Sequence, residues 1–296
     1  MLVAVTRQVV AKTSVLSAVR GGMSRRDHSG KQRTVFRRTR LDRSPNAGMG
    51  KMFQRADSVW ISTAADQAAG GGEIPASALH FQVVVTRLDL APEAVRACAA
   101  LLSAAERQRA ARFRFGRDRR RFVVARARLR ELLAERLAVP PGAIELAYGK
   151  HGKPALAQYG LQFNVSHSGD VAAYAFARGC EIGIDIEEIR AVPEAGMIAA
   201  QTFSRGENEA YAALPPHEKI PGFFNCWTRK EAVVKAFGDG LSMPLDQFDV
   251  SLAPGEPARI LRIGTAPGEE AGWRLDSLCP APGLVAAVAR GYRRLH

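Results

Sequence analysis

The stretch "EIGIDIEEI", residues 181–189, decides how this chain is read. Isoleucines alternate with Gly183, Asp185 and Glu187, which is the period of a strand whose successive side chains point to opposite faces. Ile184, Ile186 and Ile189 then help form a core, and Asp185 and Glu187 share one face. Two carboxylates so close on a buried strand repel each other and need a cation to stay ionised together. Two readings stand at this point. One is a site for a hard divalent ion, of which Mg²⁺ is the usual occupant; the other is an exposed edge strand with solvated acids. No zinc-type ligand lies nearby, which disfavours a transition metal.

Forty-six positions after Asp185 comes Glu231, in "WTRKEAVVK" (227–235). Trp227, Glu231 and Lys235 stand at i, i+4 and i+8, on one face of a helix. The plain reading is an exposed Glu–Lys pair worth about 0.3 kcal/mol, with a half-buried tryptophan. The alternative makes Glu231 the third carboxylate of the ion site and turns Lys235 toward phosphates. Lys230 points about 100° away from Glu231, toward a different phosphate or toward solvent.

Outward from these two segments the chain alternates between periods. Residues 80–88, 161–170, "VAAYAFA" and 181–189 read as strands. Residues 99–112 read as a helix, with Ser103 as N-cap and Glu106 as its capping-box partner. A long helix follows, on the apolar stripe Phe122, Ala125, Leu129, Leu132, Leu133 and Leu137, and stops at Pro140-Pro141-Gly142. Helical pattern returns from 190 to about 237, broken at Leu214-Pro215-Pro216, and short β segments run to the C terminus. The mixture argues an α+β fold in which the order of helical stretch and strands roughly recurs in two halves.

On the long helix, Arg126 lies inside the apolar stripe and Arg130 at its edge, about 40° and 80° from Phe122. Arg120 and Arg128 read as solvated. An arginine inside the stripe needs an anion, because an unpaired buried charge costs several kcal/mol. A local carboxylate and a ligand phosphate both remain open. Further phosphate-binding groups are Lys153, in the glycine-rich "YGKHGKPAL" (148–156), and Ser166 and His167, in "LQFNVSHSGD" (161–170). Each alone is unremarkable; together with three carboxylates they point to chemistry on a phosphate ester or anhydride.

The 296-residue chain carries a net charge of +13. Thirteen Lys or Arg and three Asp fall within residues 1–57, leaving 29 basic and 26 acidic residues beyond. The basicity therefore belongs mostly to the N-terminal part, and the rest is near neutral, which weakens a nucleic-acid-binding reading. Residues 1–77 read as a disordered basic extension ending in the linker "STAADQAAGGGEIPAS" (62–77), so that a chain beginning near Ser77 is expected to fold and act normally. The first 22 residues also suit a transit peptide, and Met49 or Met52 a later start. No run of 18 apolar residues occurs, so no membrane span is expected. Four scattered cysteines without metal-ligand spacing fit a reducing compartment, hence a cytoplasmic location.

Six strings in order carry a resemblance: "GKP" (152–154), "FNVSHSG" (163–169), "GIDIE" (183–187), "FSRGE" (203–207), "WTRKEAVVK" (227–235) and "GDGLSMPL" (238–245). Together they resemble the 4′-phosphopantetheinyl transferase superfamily, of the longer Sfp type, over roughly residues 80–295. The resemblance implies two similar α/β halves forming a pseudodimer within one chain, here 78–183 and 184–296, in a monomer. It implies transfer of the phosphopantetheine arm of coenzyme A to a serine of an apo acyl or peptidyl carrier protein, releasing adenosine 3′,5′-bisphosphate. Asp185, Glu187 and Glu231 would hold Mg²⁺ against the pyrophosphate. Lys235 would stabilise or protonate the leaving group, and Glu207 matches a candidate general base for the carrier serine. Lys153 and Pro154 would line the nucleotide pocket, with Ser166, His167 and Lys230 near phosphates and Arg121 and Arg126 as candidates for the 3′-phosphate. Glu207 also reads as the capping-box partner of Ser204. Gln201-Thr202 stands where many relatives carry an arginine. Competing readings are a Mg²⁺-dependent phosphoester or anhydride hydrolase and a basic nucleic-acid-binding protein; the carrier's pathway (fatty-acid, polyketide or peptide synthesis) has no sequence signature.

Overall fold

The computed structural model describes residues 58–62, 81–149, 152–156, 159–238, 244–264 and 268–292, all within the compact unit Gly50–His296. The first half comprises β1 (Ser58–Ser62), β2 (Phe81–Arg87), α1 (Pro92–Ala100), α2 (Ala104–Ala111), α3 (Gly116–Leu137), the short β3 (Ala147–Tyr148) and β4 (Pro154–Ala155), β5 (Leu161–Ser168) and β6 (Val171–Arg178). The second comprises β7 (Glu181–Glu188), α4 (Ala195–Thr202), α5 (Arg205–Ala213), α6 (Lys219–Phe237), β8 (Asp249–Val250), β9 (Ile260–Arg262), β10 (Trp273–Leu278) and β11 (Leu284–Gly291). Each half runs from strand through two short helices and one long helix to an antiparallel strand pair, so the α+β reading with two halves of similar build holds. The expected boundary at 183/184 would cut β7. The strand pairs with β11 along its whole length, so the break between halves falls at the turn before it.

Two antiparallel sheets carry the fold, in the orders β1-β2-β6-β5 and β10-β11-β7. Strand alternation divides the core in two. On β6, Ala172, Tyr174 and Phe176 pack with Val123, Val124 and Leu132 of α3. Their neighbours Ala173, Ala175 and Ala177 pack with Val83 and Val85 of β2 and with Ile182, Ile184 and Ile186 of β7. The alanines are small enough for the two sheets to approach closely, and burial of the β7 isoleucines at 0% exposure fixes that strand's face. Ile189, expected in the core, is 37% exposed, because it lies one residue past β7 and an odd number of positions from the buried Ile182, Ile184 and Ile186.

The helix expected over 99–112 is two helices. Pro92 opens α1, and Ser103 starts α2 by accepting the Glu106 N–H while the Glu106 carboxylate accepts the Ser103 N–H. An N-cap inside a helix is a contradiction, so Ser103 is where one helix stops and the next begins. Helix α3 ends when Ala138 turns left-handed, two residues before the prolines.

The disordered reading of 1–77 does not hold at 58–62. "SVWIS" sets three apolar residues between two serines and pairs antiparallel with β2 from Ser58↔Thr86 to Ser62↔Gln82. The rest of 1–77 lies outside the described residues. A chain starting at Ser77 therefore exposes the β2 edge, where one starting at Ser58 covers it. The shorter chain is expected to melt several degrees lower and to aggregate sooner; equal melting curves for the two would show that β1 contributes nothing.

Candidate functional site

Helix α6 crosses β7 on the face that carries Gly183, Asp185 and Glu187. At Gly183 the two backbones nearly touch: a Cβ there would lie 2.1 Å from the Ala232 carbonyl oxygen and 2.3 Å from the Ala236 nitrogen. This close approach brings the next turns of the helix over the acids. Lys235 Nζ donates to Asp185 Oδ1 at 2.5 Å and to Ser166 Oγ at 3.1 Å. Burial alone would lower the Lys235 pKa; the charges of Asp185, Glu231 and Glu187 outweigh it and raise the pKa. Trp227, at the other end of the stripe, is buried and stacks on Phe223, which stacks on Phe203. The stripe is thus an anchor, a carboxylate and an ammonium in sequence.

The carboxylates are crowded. Burial, reinforced by the Asp185 charge, pushes the Glu187 pKa up to about 7. Burial also raises that of Glu231, with Lys235 opposing and Asp185 adding to the shift. Asp185 Oδ2 and Glu231 Oε1 are buried and find no hydrogen-bond partner among the described residues. Orphaned, desolvated carboxylate oxygens are costly unless a cation meets them. The donor set is all oxygen, which suits a hard divalent ion. Among the described residues no group of three or more His, Cys, Asp or Glu is placed to hold a metal ion in this arrangement; Lys235 is the cation that Asp185 meets.

From the first half, β5 supplies hydroxyls. Ser166 Oγ donates to Asp185 Oδ1 at 2.7 Å, and Ser168 Oγ donates to Glu187 Oε2 at 2.6 Å. His167 alternates to the other face and keeps an accessible imidazole. The bulk of its neighbours, and then the Lys235 cation, hold its pKa below the usual value. Lys153 extends from the start of β4 and donates to the Lys235 carbonyl at 2.7 Å, where the C-terminal end of α6 favours a cation. Pro154 beside it pairs with Tyr148. Residues 239–243 of the "GDGLSMPL" string lie outside the described residues.

Three expected ligand contacts are not placed as the sequence suggested. Lys230 is 1% exposed and reaches neither phosphate nor solvent: its ammonium donates to Glu207 Oε1 and the Phe248 carbonyl, both at 2.7 Å. Glu207 is 2% exposed. It accepts the Ser204 N–H at 2.8 Å in a capping box, the Val250 N–H at 2.8 Å, and the Lys230 ammonium at both oxygens. A carboxylate so fully engaged cannot be reached by a serine hydroxyl, so Glu207 is not placed as a general base; it ties α5, α6 and β8 together. Arg121 donates to Asp170 at 2.7 Å, an ion pair that occupies it at the β5–β6 turn.

The arginines of α3 divide between the two anions left open above. Arg130 donates to Glu106 at 2.7 Å and to the carbonyls of Pro141 and Ile144, so its anion is local. Arg126 is 3.7 Å from Glu106, lies over the rings of Phe122 and Tyr148, and has a buried Nη1 without a partner among the described residues. Burial lowers its pKa. Arg128, read as solvated, is buried and donates to Glu131 at 3.1 Å; the helix is covered on more sides than a single stripe suggests. Beside these residues opens a cavity of ≈ 1090 Å³ lined by Arg109, Arg112, Arg130, Glu106, Phe113 and Tyr148 among others. It is not formed by the acids of β7, although Tyr148 on its wall pairs with Pro154, the neighbour of Lys153.

Sequence reasoning missed Arg109, Arg112 and Ser168, as well as Arg229, which is buried and donates to the Ser251 carbonyl at 2.6 Å and to Ser277 Oγ at 3.1 Å. The signal for Ser168 was present: it stands two residues after Ser166, on the same strand face. The buried Lys230–Glu207 pair has a testable consequence. Glu207→Gln or Lys230→Met leaves one buried charge without its partner and is expected to cost about 3–5 kcal/mol. The double variant should cost less than the two singles summed, as denaturant titration would reveal. A Glu207→Gln protein of wild-type stability that is about a hundredfold slow would instead restore the base reading.

The described geometry has relatives. Residues 181–287 match the family model described as the 4′-phosphopantetheinyl transferase superfamily, and residues 91–178 match the model for 4′-phosphopantetheinyl transferase, N-terminal. The protein named 4′-phosphopantetheinyl transferase HetI from Nostoc sp. is 40% identical over 206 residues, 68% of this chain and 84% of the relative. A 4′-phosphopantetheinyl transferase of Bacillus subtilis is 34% identical over 154 residues, 52% of this chain and 67% of its own length. The Escherichia coli (strain K12) protein named 4′-phosphopantetheinyl transferase AcpT is 40% identical over 124 residues, 42% of this chain and 60% of its own.

Proposed function

This chain belongs to the 4′-phosphopantetheinyl transferase superfamily, and from that premise we propose the reaction its site performs. The protein is a 4′-phosphopantetheinyl transferase. It moves the phosphopantetheine arm of coenzyme A to a serine of an apo carrier protein and releases adenosine 3′,5′-bisphosphate. The observation that carries the reading of the site is the convergence of Asp185, Glu187, Glu231 and Lys235 where α6 crosses β7.

Asp185, Glu187 and Glu231 would hold Mg²⁺, an all-oxygen set in which Asp185 Oδ2 and Glu231 Oε1 have no hydrogen-bond partner among the described residues. Bound there, the ion would neutralise charge on the pyrophosphate. Lys235, partly exposed beside Asp185, is the cation placed to meet the negative charge that develops on the leaving bisphosphate. Its ammonium donates to Asp185 and Ser166 and has a third N–H for that charge. Lys153 at the end of α6 and the accessible His167 flank the same position. The cavity of Arg109, Arg112, Phe113 and Tyr148 would take the nucleotide end of coenzyme A, guanidinium groups facing phosphate and rings facing the base. The unpartnered Nη1 of Arg126 supports a phosphate near it. With both Glu207 oxygens engaged by Lys230, Ser204 and Val250, the serine proton falls to an acceptor other than Glu207.

We place the protein in the cytoplasm as a monomer, serving a carrier of fatty-acid, polyketide or peptide synthesis. Among the described residues no helix is long and apolar enough to cross a membrane. The decisive experiment incubates the protein with coenzyme A, Mg²⁺ and a panel of apo carriers and reads carrier mass. One carrier should gain a phosphopantetheine mass and lose that gain when divalent ions are chelated. Release of free phosphopantetheine without any carrier would make the protein a hydrolase and overturn the reading.

A further inference from the structure

Strands β5 and β7 lie at the edges of two different sheets and share no backbone ladder. The outward edge of β7 should therefore present unpaired N–H groups in a buried place, since Ile184 and Ile186 are 0% exposed. Each such group left alone costs about 1–3 kcal/mol. They are not alone. The Ile184 N–H donates to Asn164 Oδ1 at 2.9 Å, the Ile186 N–H to Ser166 Oγ at 3.4 Å, and the Glu188 N–H to Ser168 Oγ at 3.2 Å. Three side chains at two-residue spacing on β5 meet three amides at two-residue spacing on β7. They replace a backbone ladder with one made of side-chain oxygens.

The two serines do more than accept. Each hydroxyl has a single hydrogen, and Ser166 spends it on Asp185 while Ser168 gives it to Glu187. One oxygen thus fixes both the height of β7 against β5 and the direction of the carboxylate beside it. We propose that Asn164, Ser166 and Ser168 form a side-chain ladder that sets the register of the acidic strand against the first half, and that Ser168 is the positioning residue for Glu187. A slip of two residues would keep the isoleucines inside, because the strand period is two. It would, however, present the Ile184 N–H with a serine in place of Asn164 and move both carboxylates about 7 Å along the strand. The shape of an asparagine followed by two serines distinguishes the registers where hydrophobicity does not. The role of Ser168 toward a bound ion rests on the metal reading of Asp185, Glu187 and Glu231; the ladder itself does not.

Two measurements separate these. Amide hydrogen exchange in the ligand-free protein reads the ladder directly. Ser168→Ala should speed exchange of the Glu188 amide about tenfold or more and leave that of Ile184 near wild type, while Asn164→Ala should do the reverse. Ser168→Thr keeps the hydroxyl and should restore protection. Wild-type protection of Glu188 in Ser168→Ala, or a uniform loss along β7, overturns the ladder. Binding of Mn²⁺, followed by its paramagnetic signal, reads the positioning. Ser168→Ala should weaken it by about ten- to a hundredfold, and Ser168→Thr should recover it. Unchanged Mn²⁺ affinity in Ser168→Ala overturns the positioning role. Failure of the wild type itself to bind Mn²⁺ overturns the metal reading and the role of Ser168 with it, while the exchange result still decides the ladder.

Discussion

Gly183→Ala is expected to destabilise the protein by about 3 kcal/mol or more and to lower its melting temperature by roughly 6–12 °C. The added methyl would stand 2.1 Å from the Ala232 carbonyl oxygen, 2.3 Å from the Ala236 nitrogen and 2.9 Å from the Ala236 Cα. All three are backbone atoms of one helix, so no side chain can turn aside. Either α6 lifts off β7 or the strand bends. Both outcomes carry Glu231 and Lys235 away from Asp185, so whatever fraction stays folded should transfer poorly. Circular dichroism melting with a single-turnover transfer assay gives both readouts. A Gly183→Ala protein that melts with the wild type would mean that the close crossing of α6 over β7 is wrong, and the site built on it would fall too.

Asp185→Asn is expected to keep the fold and to lose transfer by about a thousandfold or more. The amide matches the carboxylate in size and can still accept from Ser166, so the strand has no steric reason to move. What disappears is the charge that meets Lys235 at 2.5 Å and that raises the pKa of Glu187 and Glu231. Loss of that repulsion offsets part of the lost ion pair, which is why stability should change less than rate. The measurement pairs thermal melting with the initial rate on an apo carrier across a range of Mg²⁺ concentrations. Transfer within a few fold of wild type would remove Asp185 from the site.

Local periodicity by itself determined a good deal here. Alternation in 181–188 made a strand with its isoleucines inside and its acids together, and i, i+4, i+8 spacing put Trp227, Glu231 and Lys235 on one helical face. These patterns report what a residue's immediate neighbours force upon it, and the order of the motifs was enough to suggest the family. What a helix's second face meets is not local. Lys230 and Glu207 both looked functional because each is a charged residue inside a motif. Only packing of α5, α6 and β8 shows that they neutralise each other in the interior. The same holds for Arg130, whose anion comes from the start of α2, 24 residues away, and for β1, whose strand identity depends on the free edge of β2. Ser168 and Asn164 had the right spacing, yet their partners on β7 come from the opposite half. A buried polar group is assigned by what satisfies it, and in this protein the satisfying group is usually brought by the tertiary fold rather than by the adjacent chain.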